Sequence, residues 1–141
     1  MRLNANFSAA LQILVICYKY PNDHLTSLYL AKRISAPDAV LRRIMADLRR
    51  NNMIYTKPGP SPIKLLADLN EVSLYDVYVA VNHDEDNDVI KCYSVGSNAD
   101  NFDALLLDSI KSSVKDCVEP FILSMKQTKV ISLIERIDDT L

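Results

Sequence analysis

The chain has 141 residues, 49% hydrophobic and 24% charged, which suits a single domain with a proper apolar core. Its longest apolar-rich stretch, Leu11 to Cys17, falls far short of the roughly 20 residues a membrane span needs and lacks the flanks of a signal peptide, so a cytoplasmic protein is expected. The three cysteines, Cys17, Cys92 and Cys117, are too widely spaced for a disulfide framework or a CxxC zinc site.

The formal net charge of −2 is unevenly distributed. Residues 1–66 carry ten Lys and Arg against three Asp, a balance of +7, whereas residues 67–141 carry six against fifteen acids, a balance of −9. That asymmetry points to an N-terminal half facing nucleic acid and a C-terminal half with other duties.

In chain order, Phe7, Ala10, Leu11, Leu14, Val15 and Tyr18 repeat at helical spacing and predict a first helix over about residues 6–20, ended by Pro21-Asn22-Asp23. Leu25 or Thr26 opens a second, with Leu28, Ala31 and Ile34 inward and Lys32 and Arg33 outside. Ser35 and Asp38 have capping-box spacing and Pro37 suits a first turn, so a third helix starts there. At 100° per residue it places Val40, Leu41, Ile44, Met45 and Leu48 on one side, and Ala39, Arg42, Arg43, Ala46 and Arg50 on the other. Small alanines between arginines let a helix sit deep in a groove, and Arg forks onto guanine or phosphate. An Arg-rich face is more often merely solvated. Here its place behind a helix and turn, and before a hairpin, favours a recognition helix.

Met53–Lys57 and Ile63–Leu66 read as two short strands joined by Pro58-Gly59-Pro60-Ser61-Pro62, the shape of a wing. Its prolines leave few backbone donors, so Lys57, Ser61 and Lys64 are its expected contacts; the blander reading is a proline-shaped surface loop. The full expected DNA-contacting set is Ser35, Pro37, Asp38, Ala39, Arg42, Arg43, Arg50, Lys57, Ser61 and Lys64.

Ser73 and Asp76 start a fourth helix with Leu74, Val77, Tyr78 and Val81 inward. The acidic run His83 to Asp88 fails as a calcium loop, because Val89 and Val95 stand where Gly and Glu are required. From about Ala99 to Gln127 the pattern is helical, with Leu106, Ile110, Val114, Cys117, Phe121 and Met125 on one stripe, too long for one small domain to cover. Pro120 predicts a kink or break near Asp116 to Glu119. A last helix, about Thr128 to Ile137, carries Val130, Ile131, Leu133, Ile134 and Ile137, for packing on the first domain or on a dimer partner. The expected fold is mainly α (α+β). It comprises a winged helix-turn-helix with a two-stranded wing over residues 1–82, an acidic loop or linker over 83–98, and a helical dimerisation region with a long helix over 99–141.

This pattern resembles the Rrf-two family of bacterial winged-helix transcription regulators. Met1-Arg2-Leu3 is similar to the family's MRL start, LRRNNMI at 48–54 to its LRKAGLV segment, Gly59-Pro60 to its wing RGPGGGY, and Val72 to Val77 to its ITLGDVI helix start. The resemblance implies a homodimer joined by the long helix, recognition helices in successive major grooves of a pseudo-palindromic operator, and base reading by Arg42 and Arg43. Two departures stand out. Pro58 replaces the wing arginine, and Ser61 and Pro62 replace wing glycines, leaving Lys57 as the substitute. Cluster-binding members carry three closely spaced cysteines before the dimer helix, where this chain has Cys92 alone, so no iron–sulfur cluster or other cofactor is expected.

Cys17 and Cys117 sit on apolar stripes and read as buried packing, with Cys92 the exposed thiol. His24 and His83 read as lone residues in turns, and neither a nucleophile–base pair nor a metal-spaced set is present, so no catalytic or metal site is expected. The expected function is a sequence-specific DNA-binding repressor acting as a homodimer. The alternatives are a winged-helix protein-interaction adaptor without DNA binding and a thiol-responsive regulator using Cys92.

Overall fold

The computed structural model describes residues 1–21, 24–57, 62–83 and 89–140. Six helices and one small sheet follow in the order α1 Ala5–Lys19, α2 Ser27–Arg33, α3 Asp38–Arg50, β1 Ile54–Tyr55, β2 Lys64–Leu65, α4 Leu74–Val81, α5 Asn101–Gln127 and α6 Ile131–Thr140. The chain divides into two compact units: a winged unit of Leu3–His83 with Met125–Leu141, and a second of Asp84–Ser124 with Met1–Arg2. Met125, Val130 and Ile134, from the region expected to serve dimerisation, are buried within the winged unit.

In the winged unit α1 packs against α3 and α4, and α2 against α3. Asn4 caps α1, its Oδ1 accepting from the N–H groups of Asn6 and Phe7 at 3.1 and 3.2 Å. The buried stripe of α1 is Ala9, Ala10, Ile13, Leu14 and Cys17, whereas Tyr18, expected inside, is 44% exposed. The run AALQILVIC is apolar almost all round, so periodicity alone could not select the buried side. Thr26 caps α2 through Tyr29 N–H at 3.2 Å. This start turns Leu30 and Ile34, one turn apart, inward and leaves Leu28, also expected inside, 63% exposed.

The N-cap of α3 is Pro37, with no side-chain cap, so the box expected from Ser35 and Asp38 does not form; Ser35 stands two residues too early. The other end of α3 is closed firmly. Asn52 N–H donates to Arg49 O at 3.0 Å and Met53 N–H to Leu48 O at 2.9 Å, the two bonds of a Schellman motif. Asn52 takes the left-handed position with φ 57°, which Asn tolerates better than most residues. Met53 and Leu48 are both buried at this junction, which turns the chain into β1.

The wing strands β1 and β2 are antiparallel, with Ile54 opposite Leu65 and Tyr55 opposite Lys64. Ile63 N–H reaches Leu25 O at 2.7 Å, tying the wing's return to the start of α2. The expected box at α4 is present, with Asp76 N–H to Ser73 Oγ at 3.0 Å and Ser73 N–H to Asp76 Oδ2 at 2.9 Å. Val77, Tyr78 and Val81 are buried as expected. The segment before α6 forms no helix. Leu74 N–H instead donates to Thr128 O, and Val130 N–H to Val72 O, each at 2.9 Å, and this stitching seats α6, which begins at Ile131.

Of the kink or break expected near Pro120, the break does not occur: α5 runs as one helix of 27 residues through it. Pro120 removes the donor for the Asp116 carbonyl one turn earlier, but Asp116 is exposed and water can serve that carbonyl. Of the expected dimerisation stripe, Leu106, Ile110, Cys117 and Phe121 are exposed and Val114 is half-buried, while Met125 belongs to the winged unit's core. Cys117 is therefore not the buried packing residue its position on an apolar stripe suggested. No helix among the described residues is long and apolar enough to cross a membrane.

Candidate nucleic-acid interface

The two sides of α3 meet different surroundings. Leu41, Ile44 and Leu48 are fully buried, which fixes the rotation of the helix, and the opposite side is left to solvent. Ala39, Arg42 and Arg43 are exposed there, with Ala46 half-buried between them and Arg50. Arg42 Nη2 lies 3.1 Å from Asp38 Oδ2, one turn earlier, and both side chains are largely exposed. Such a pair is screened and weak, so Arg42 can exchange that carboxylate for a phosphate or a base edge. Arg43 has no hydrogen-bond or ion-pair partner among the described residues.

The C-terminal end of α3 is built differently. Asp47 is only 2% exposed, and its carboxylate accepts from Arg50 Nη2 on one oxygen and meets His83 Nε2 at 2.8 Å on the other. Asn51 Nδ2 adds a bond of 2.8 Å to the Asp47 carbonyl. A buried carboxylate is costly unless charged donors reach it, and here both heads approach from the surface. His83 is thus not the lone turn residue expected; it anchors the end of the winged unit to α3. The spacing of Asp47 and Arg50 was a visible hint, whereas nothing local in the sequence links Asp47 to a histidine 36 residues away. Arg50 stays 59% exposed, so its guanidinium is held by Asp47 yet open to solvent.

Arg49 Nη1 donates to Thr56 Oγ1 at 3.3 Å and ties α3 to the base of the wing. Lys64 on β2 and Lys57 just beyond β1 are both exposed. Ser61, with Pro58 to Pro60, lies outside the described residues, as do Asp84 to Asp88 of the acidic run. Ser35, Pro37 and Asp38 are exposed at the start of α3, beside Arg42. Arg33 on α2 is already engaged: its guanidinium lies 4.3 Å from the Tyr20 ring centre and donates to Tyr29 Oη at 2.9 Å.

A family model described as "Rrf2: Iron-dependent Transcriptional regulator" matches residues 3–135. The chain belongs to the Rrf2 family. It is 26% identical over 83 residues to a Lactococcus lactis protein named "Putative HTH-type transcriptional regulator YffB", covering 57% of this chain and 53% of the relative. The chain thus spans about half the length of that curated relative. Among solved structures it is similar to a "putative transcriptional regulator" from Lactobacillus plantarum, with a TM-score of 0.79 at 13% identity over 94% of this chain and 89% of that one. It is also similar to T. potens IscR, with a TM-score of 0.62 at 8% identity over 99% and 90%. At these identities the structural likeness speaks for the fold. The chain has the winged helix-turn-helix fold of an Rrf2 protein, and the relatives it matches are named as transcription regulators.

The iron in the family model's description would need several close ligands. Burial pushes the Cys17 thiol up to about 11, which holds it as a neutral thiol in the winged core. Cys92, expected to be the exposed thiol, is half-buried, and Cys117 is exposed. Among the described residues no three His, Cys, Asp or Glu side chains are grouped as a metal ion would require.

Proposed function

We propose that this Rrf2 protein is a homodimeric repressor that reads a pseudo-palindromic operator through the front of α3. The observation that carries the reading is the exposure of Ala39, Arg42 and Arg43 on a helix whose other side is locked into the core. Arg42 and Arg43 are the base readers, able to fork onto guanine in the major groove. Ser35, Pro37 and Asp38 border the groove, Arg50 meets backbone phosphate from its Asp47 anchor, and Lys57, Ser61 and Lys64 carry the wing's contacts. The +7 balance of residues 1–66 supplies the sequence-independent attraction to DNA.

Dimerisation falls to α5. Phe102 and Leu105 are each 67% exposed, and Phe121 and Leu106 are 47% and 44% exposed, on a helix about 40 Å long. Apolar area on that scale calls for cover, and a second α5, bringing Leu106, Ile110, Val114, Cys117 and Phe121 against their counterparts, provides it symmetrically. Selection of bound sequences from random duplexes tests the reading. Recovery of two half-sites about 10 base pairs apart, or a multiple of that, is expected; recovery of no enriched sequence would remove it.

A further inference from the structure

The unit formed by Asp84–Ser124 contains a cavity of about 420 Å³ between the segment that precedes α5 and α5 itself. Its lining divides by chemistry: Val89, Ile90, Val118 and Ile122 are apolar, and Lys111, Ser112, Lys115 and Glu119 are polar. We propose that this cavity binds a small amphipathic monoanion, a carboxylate with a short apolar chain, with Lys111 and Lys115 holding the head and the valines and isoleucines covering the chain. The volume lies within the range of about 300–1,000 Å³ usual for small-molecule sites.

Three observations lead there. Lys111 and Lys115 are one turn apart on the same side of α5, a like-charge spacing that disfavours a helix unless an anion is shared. Neither has an ion-pair partner among the described residues, although Asp108, Asp116 and Glu119 lie on the same helix. Nor are cations common in this stretch: residues 84–124 hold three lysines against nine acids, and two of the three line this cavity. At 100° per residue the cavity side of α5 is turned roughly 140° from the Leu106–Ile110–Cys117–Phe121 stripe, so a ligand and a second α5 would not compete for the same residues. Glu119, one turn beyond Lys115, opposes a second negative charge, which favours a monoanion seated at the Lys111 end.

The test is calorimetric titration of octanoate, 1-octanol and octylammonium into the full chain, and it is independent of DNA binding. Octanoate should bind at least about tenfold more tightly than octanol, since a charge-assisted bond separates the two, and octylammonium should be weakest. Substituting both lysines (K111M with K115M) should erase the advantage of octanoate over octanol, while Glu119→Gln should tighten octanoate binding. Val118→Trp, which fills the cavity, should abolish binding with helix content unchanged by circular dichroism. Equal binding of octanol and octanoate, an unchanged preference in the double lysine variant, or weaker octanoate binding in Glu119→Gln would each overturn the proposal.

Discussion

Residues 3–83 and residues 84–124 handle apolar surface in opposite ways. In the first, Ile13, Leu14, Leu30, Leu41 and Leu48 are wholly covered by their own chain. In the second, α5 leaves Phe102, Leu105, Leu106 and Phe121 open, although its pattern is as regular as that of any core helix. Periodicity reports that a face wants cover, not who supplies it. The winged unit buries its central stripes within its own packing, and the α5 residues named here stay exposed.

Substitutions should separate the two regions. Leu14→Ala removes a wholly buried side chain and should cost about 2–5 kcal/mol in urea unfolding. Phe121→Glu should leave the winged core intact, yet shift sedimentation from dimer to monomer, with a loss of about 2 kcal/mol or more if Phe121 sits at the centre of the contact. If Phe121→Glu lowered the stability of the chain as much as Leu14→Ala, the contrast would be lost.

A third effect comes from Cys17. Its folded pKa is raised by burial from 9.0 to about 11. Below about pH 9 the thiol is neutral in both states; between about 9 and 11 the unfolded chain releases a proton that the folded chain keeps. Stability relative to a Cys17→Ala variant should therefore fall by about 2 kcal/mol across that window and level off above it. Parallel stability–pH curves for the two proteins would contradict the burial.

The same contrast recurs within α3. Asp47→Asn keeps one acceptor oxygen but removes the charge and turns an amide NH2 toward the other of Arg50 and His83, and should cost about 1–2 kcal/mol. Asp38→Asn, which loosens only an exposed pair, should change stability by less than about 0.5 kcal/mol. Equal effects would mean that the two ends of the helix are not differently built.

Much of this was readable beforehand where local chemistry decides it. Ser73 and Asp76 signal the start of α4, and Leu41, Ile44 and Leu48 fix the rotation of α3, because capping and 3.6-residue spacing act within a few residues. What escaped depends on partners far along the chain. Asp47 takes its role from His83, 36 residues further on, and Met125, on the expected dimer stripe, is buried with the winged unit. The face of α1 was ambiguous because nearly every side is apolar. Cys117 lies on an apolar stripe, a pattern that implies cover, and yet it is exposed on α5.

In the proposed reading, Arg42 and Arg43 contact DNA from a surface that plays no part in holding the fold. Its most direct test is binding of a selected duplex by the wild-type chain and by the double variant Arg42→Ala with Arg43→Ala, each at two salt concentrations. A specific-binding loss of about 1–3 kcal/mol per arginine, a shallower salt dependence and an unchanged unfolding midpoint are expected. Wild-type affinity for the selected duplex in the double variant would contradict it.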